Sequence, residues 1–207
     1  MLKRLVVLAA LAVGSVAVAH ADSISGFFSA NGTDSFTTST ITFAPGTSSV
    51  AGAIGGTFAT YLTDGNPITF LGGPLPYSQG ANIPPGGIPI QLFSTTEAGE
   101  TFAFNITAYN ANFVNDGSQG CTNGATCLFA TGIGFFTGTG TVNYTSSPAT
   151  FVFTSQYPPT QTVGTLTSFS ASASAVPSAV PEPASLALFG TGLVGVVGIA
   201  RRRFSRA

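Results

Sequence analysis

Hydrophobic and polar residues alternate along several short segments between Asp22 and Ala179. Alternation with a period of two gives a β-strand one buried face and one exposed face. The clearest cases are residues 102–108, 150–154 and 168–175. In the first of them, the face predicted to be buried carries Phe102, Phe104, Ile106 and Ala108. No helical periodicity appears in this part of the chain, so the pattern predicts a domain built from strands.

The remaining candidate strands are residues 24–29, 36–43, 57–62, 89–94, 127–136 and 139–145. About nine short strands separated by Gly, Pro and Asn predict an all-β fold, an antiparallel β-sandwich or jelly roll over residues 22–176. Residues 71–89 are rich in Pro and Gly and predict a long surface loop.

The N-terminus has the pattern of a secretory signal peptide. Lys3 and Arg4 precede a short apolar run, and the small residues Ala19 and Ala21 stand just before Asp22. Signal peptidase selects small side chains two residues apart, so we predict that residues 1–21 are cleaved off after Ala21. This implies passage through the Sec translocon.

The C-terminus has the pattern of a membrane anchor. Residues 184–200 carry no charge and would reach about 25 Å as a helix, slightly short of a hydrocarbon core of about 30 Å, so this segment could only just span a bilayer. Arg201, Arg202 and Arg203 follow in a basic tail, residues 201–207, which predicts a cytoplasmic tail and a domain on the outer side of the inner membrane. Residues 177–183 form a Pro-rich stalk, since Pro181 and Pro183 disfavour helix.

The chain's last part resembles the PEP-CTERM sorting signal of Gram-negative bacteria, because Pro181, Glu182 and Pro183 are followed by the apolar segment 186–200 and then by Arg201 to Arg203. The resemblance implies processing by exosortase, an integral-membrane, transpeptidase-like enzyme that removes the tail. It also implies a transient stay in the inner membrane and a final place at the cell surface or in the extracellular matrix. Such proteins accompany extracellular polysaccharide and biofilm.

Charge limits what the part between the two signals can do. It contains six acidic residues and no Lys, Arg or His, a formal charge of −6. Nucleic acid is excluded as a partner, because nothing can neutralise its phosphates. A Ser or Cys nucleophile would also lack its usual base.

Two cysteines flank a short turn, residues 122–126. Because export brings Cys121 and Cys127 into an oxidising compartment, we predict a disulfide between them. A zinc or redox site is disfavoured, since there is no His and no second Cys pair. We therefore expect no metal and no cofactor.

Two segments carry weaker chemical signals. Glu97 and Glu100 flank the tip of a predicted hairpin and could act as a glycosidase pair, although solvated turn acids are the simpler interpretation. Residues 112–119 offer oxygen ligands loosely as a calcium loop does, but an ordinary turn is favoured.

These observations predict an exported, non-enzymatic surface or matrix protein associated with extracellular polysaccharide. A carbohydrate-binding module or adhesin is the alternative, and it would show an aromatic-lined patch or a calcium site on one sheet face. A secreted hydrolase that uses only Asp and Glu is the third class.

Overall fold

The computed structural model describes residues 22–81, 89–115 and 121–177. These residues form twelve strands and one short helix, α1 (Thr57–Tyr61). The strands are β1 (Asp22–Ser23), β2 (Gly26–Phe36), β3 (Thr40–Phe43), β4 (Ser48–Gly56), β5 (Pro67–Phe70), β6 (Leu75–Pro76), β7 (Ile90–Glu97), β8 (Glu100–Val114), β9 (Thr126–Thr139), β10 (Tyr144–Thr145), β11 (Ser147–Tyr157) and β12 (Thr167–Ala175).

Eight of the strands form a closed, barrel-like sheet. Its order is β2, β4, β5, β7, β8, β9, β11, β12, and β12 pairs again with β2 to complete the ring. Every pairing in this sheet is antiparallel. The predicted antiparallel all-β class is therefore confirmed, and the arrangement within that class is a single sheet closed on itself. Closure leaves few unpaired strand edges.

Two short extensions are attached to the ring. β3 pairs with β2 and with β6, outside the closed circuit. β1 pairs with β10 in parallel, with Asp22 opposite Tyr144.

Phenylalanine rings fill the interior of the closed sheet. Phe93 packs against Phe28, Phe104, Phe136 and Phe151 with ring centroids 5.4 to 6.0 Å apart. Such pairs add about 0.5–1.5 kcal/mol each beyond the burial of their area. The sequence alternation is confirmed in β11 and β12, where every second residue is buried.

A β-bulge changes the predicted face in β8. The register with β9 shifts between Ile106 and Ala108. As a result Ala108 leaves the inner face, and Tyr109, which is 3% exposed, takes its place. The prediction was right for Phe102, Phe104 and Ile106 and wrong for Ala108.

The predicted strand at residues 57–62 is wrong, because these residues form helix α1 and its C-cap. Phe58 and Leu62 are four residues apart, both are buried, and the Leu62 N–H donates to the Phe58 carbonyl at 2.8 Å. The pair places both apolar side chains on one helical face.

Two other predicted strands are interrupted by turns. In residues 36–43, the Thr37 Oγ1 accepts hydrogen bonds from the N–H groups of Ser39 and Thr40, at 3.2 and 3.1 Å, and this separates β2 from β3. In residues 139–145, β9 ends at Thr139 and only Tyr144–Thr145 returns to strand, as β10. Gly140, with φ of 156°, lies directly after the end of β9.

The predicted loop at residues 71–89 is partly structured. It contains β6, which pairs with β3, and the side chains of Leu75 and Tyr77 are buried. The Tyr77 hydroxyl donates a hydrogen bond to the Thr37 carbonyl. Residues 82–88 lie outside the described residues.

The predicted signal peptide (1–21), the sorting motif and the membrane segment (184–200) also lie outside the described residues. Among the residues that are described, no helix has the length and apolar character needed to cross a membrane.

Candidate functional site

The outward face of β9 and β11 carries three neighbouring depressions, which we call the outer groove. The first, of about 560 Å³, lies around Ile133 and Val152. The second, of about 310 Å³, lies between Ile133 and Val176. The third, of about 340 Å³, lies beside Phe129 and Thr154. The groove therefore follows the direction of the two strands.

Apolar and hydroxyl side chains alternate on the floor of the outer groove. Ile133 lies opposite Thr150 in the β9–β11 pairing, and Val152 lies opposite Thr131. Ile133 is 58% exposed and Val152 is 46% exposed. Large apolar side chains exposed side by side on one face are uncommon and often mark an interaction surface.

β12 adds a row of hydroxyl groups to one side of the groove. Ser172 lies opposite Val152, and Ser170 lies opposite Thr154. These serines face outward because Ala171 and Ala173 occupy the buried positions between them. The period-two pattern of β12 thus builds both the core and the polar wall of the groove.

The disulfide predicted from the sequence is present between Cys121 and Cys127. The turn between them places Gly124 at φ of 81°, a conformation that favours glycine. Both cysteines pack with Val114 and Ala125 in a small cluster separate from the main core. Because Cys127 also lines the third depression, the disulfide lies at that end of the outer groove.

Tyr109 is the only ionisable residue that lines the three depressions. Its side chain is buried in the core, where the hydroxyl donates a hydrogen bond to the Pro76 carbonyl. The described residues contain five acids, Asp22, Asp34, Asp64, Glu97 and Glu100, and no basic side chain. The groove is thus an uncharged surface on an acidic domain.

Asp34 is buried inside the closed sheet. Its Oδ1 accepts a hydrogen bond from Ser155 Oγ at 2.7 Å, and its Oδ2 has no partner among the described residues. Burial raises the pKa of Asp34 to about 7, although the Ser155 bond opposes the increase.

The Tyr157 hydroxyl connects three segments near Asp34. It accepts hydrogen bonds from the N–H groups of Phe36 and Gly164, at 2.8 and 3.1 Å. It lies 2.7 Å from the Thr165 carbonyl, to which it can donate. These bonds attach the turn between β11 and β12 to the end of β2. Asp34 and Tyr157 therefore have structural roles inside the domain.

The predicted hairpin at Glu97 and Glu100 is confirmed, since these residues are paired across the β7–β8 turn. Glu97 accepts two hydrogen bonds from Thr63, from its N–H and its hydroxyl, both at 2.7 Å. Glu100 Oε1 accepts from the Val142 N–H at 2.8 Å and from the Thr141 hydroxyl. Each carboxylate thus fastens a different segment to the hairpin.

The interpretation of both residues as solvated turn acids is wrong for Glu100, which is fully buried. The hydrogen bond from Thr141 lowers the pKa of Glu100, and it outweighs the opposing effect of burial. A depressed pKa keeps the carboxylate ionised, which suits a structural acceptor and not a proton donor.

The segment considered as a calcium loop is only partly described. Asn112 lies in β8, and its Nδ2 donates to Asn110 Oδ1 at 3.1 Å. Residues 116–119 lie outside the described residues. Across 22–81, 89–115 and 121–177, no group of three or more His, Cys, Asp or Glu is arranged to hold a metal ion.

Sequence reasoning did not identify the outer groove or Asp34. In residues 150–154, Val152 alternates with Phe151 and Phe153 and stands between Thr150 and Thr154, so an apolar residue on the otherwise polar face was an available signal. Ile133 gave a similar signal, because Gly132 and Gly134 occupy the inward positions beside it. Asp34 had no local signal, since its burial depends on the pairing of β2 with β12.

A family model described as the PEP-CTERM protein-sorting motif matches residues 179–203. The resemblance seen in Pro181, Glu182, Pro183 and the arginine cluster is thereby confirmed. The motif supports an exosortase-targeted, secreted or cell-surface protein of Gram-negative bacteria. No curated protein and no solved structure gives a significant match to the chain.

Proposed function

We propose that this protein is a non-enzymatic component of the cell surface or extracellular matrix, associated with extracellular polysaccharide. The observation that carries the proposal is the PEP-CTERM motif at residues 179–203, joined to an all-β domain without a basic side chain. The chain enters the Sec translocon, loses residues 1–21 to signal peptidase and is held in the inner membrane by residues 184–200. Exosortase then cuts near Pro181, Glu182 and Pro183.

Hydrogen bonds between three of the acids and other segments of the domain support a role without catalysis. The Glu97 carboxylate accepts hydrogen bonds from Thr63, and the Glu100 carboxylate accepts them from Thr141 and Val142. Asp64 Oδ1 accepts the Gly52 N–H at 3.0 Å. A glycosidase needs one carboxyl group free to protonate the leaving oxygen and another free to act as nucleophile or base.

The test is fractionation of the native bacterium and of a strain that lacks exosortase. We expect the protein in the surface or medium fraction of the first strain and in the inner membrane of the second. Glu182→Ala should reproduce the second result in the first strain, and Glu97→Ala serves as the matched control outside the motif. Equal distribution in both strains would contradict the proposal.

A second candidate function, a polysaccharide-binding module, is favoured by the outer groove. Its depressions combine exposed Ile133 and Val152 with the hydroxyls of Thr131 and Thr150. Binding sites for small molecules and polymers commonly join apolar walls to a few polar groups.

A further inference from the structure

We propose that the outer groove binds a chain of uncharged polysaccharide. This inference rests on the proposed function and deepens it, because it names the site and the chemical class of the partner. Three features of the groove carry the inference: its alternating chemistry, its lack of charge and its length.

The alternating chemistry matches a sugar chain. A pyranose ring presents apolar C–H faces and a rim of hydroxyl groups. Ile133 and Val152 can cover C–H faces, while Thr131 and Thr150, their cross-strand neighbours, can donate and accept hydrogen bonds. Partly exposed Phe129 adds an aromatic surface at the end near the disulfide.

The charges of the domain favour an uncharged polymer as the ligand of the groove. Uronate or sulfate groups need cationic partners, and residues 22–176 contain no Lys, Arg or His. The acids of the domain would also repel an anionic chain over distances of about 10 Å at ordinary salt. An uncharged chain avoids both costs.

The length of the groove fits a polymer better than a single sugar. Its depressions follow β11 from Gln156 to Pro148, eight residue steps, which span about 27 Å of strand. The first two depressions share Ile133 and Thr150, and the third contains Thr154, which is the next outward residue after Val152 on the same strand. One extended chain that follows β11 can therefore contact all three.

The experiment uses the full-length chain purified in mild detergent. Affinity electrophoresis compares uncharged polymers (dextran, galactomannan and a mixed-linkage glucan) with anionic ones (alginate and hyaluronan). We expect retardation by at least one uncharged polymer and none by the anionic ones. The double variant Ile133→Thr/Val152→Thr should weaken that binding about tenfold, since it replaces apolar contacts while keeping β-branched side chains.

Leu166→Thr is the matched control, because Leu166 is 61% exposed and does not line the groove. It should leave binding unchanged, and thermal melts of all variants check that they fold. Three results would overturn the inference. They are binding of anionic polymers only, an equal loss of polymer binding in the groove variant and the control, and no retardation by any polymer. A native dimer, seen by light scattering, that becomes monomeric only in the groove variant would also overturn the inference, because a second copy of the chain would then occupy the groove. None of these results changes the fractionation outcome, which tests the proposed function separately.

Discussion

Ser155 Oγ donates a 2.7 Å hydrogen bond to Asp34 Oδ1 inside the closed sheet, and it is the side-chain partner of this buried acid. One bond does not compensate for the loss of water around a carboxylate, so the pKa of Asp34 is raised to about 7. The folded state thus holds a proton that the unfolded state releases above about pH 4.

The burial of Asp34 should make the stability of the domain depend on pH between pH 4 and pH 7. With the folded pKa above the unfolded one, stability should fall as pH rises through this window, by up to about 1.4 kcal/mol per pH unit, and then level off. Asp34→Asn should remove the decline and stabilise the protein at pH 8. Thermal melts monitored by circular dichroism would measure this, and an unchanged slope in the variant would show that Asp34 is not its source.

Glu100 should have the opposite effect on the acid side. Its pKa is lowered by the Thr141 hydroxyl, so the stability it contributes is present above its unfolded pKa of about 4.5 and is lost as pH falls through the folded value. Glu100→Gln should reduce the loss of stability below pH 4.5, and it should not change the decline in stability that Asp34 causes between pH 4 and pH 7. The same melts serve as the measurement, with Asp34→Asn as the reciprocal control.

Tyr157→Phe should destabilise the domain by roughly 2–4 kcal/mol. The variant leaves the buried N–H of Phe36 without its acceptor and removes the acceptor of the Gly164 N–H. Tyr144→Phe is the control, because it loses only the 3.0 Å bond to the Tyr61 hydroxyl and should cost about 1 kcal/mol. Urea unfolding would compare them, and similar losses in both would refute the role given to Tyr157.

Removing the disulfide should cost about 2 kcal/mol, the chain-entropy value for a loop of this size. The double variant Cys121→Ser/Cys127→Ser and the reduced native protein should melt at similar, lower temperatures. A reduced protein that melts like the oxidised one would show that the Cys121–Cys127 bond does not stabilise the fold.

The sequence predicted the strands whose burial alternates without interruption. β12 and the centre of β11 were predicted correctly because Phe and Ala alternate there with Ser and Thr. β4 was missed because Gly52, Gly55 and Gly56 dilute its apolar pattern. α1 was mistaken for a strand, since its β-branched and aromatic residues obscured the spacing of Phe58 and Leu62.

Closure of the sheet was beyond sequence reasoning. It depends on β2 pairing with β12, where Asp34 lies opposite Thr167, more than 130 residues along the chain. No local pattern reports such a contact, and the burial of Asp34 follows from it. The sorting motif needed no knowledge of the fold, because its three parts follow one another directly in the sequence.

We propose that the domain works outside the cytoplasm after residues 1–21 and the C-terminal arginine cluster have been removed. Mass spectrometry of the intact protein, from the envelope and the culture medium of its native bacterium, tests this most directly. We predict an N-terminus at Asp22 and a C-terminus that lacks Arg201, Arg202 and Arg203. Mature protein that retains Met1 or the arginine cluster would contradict it.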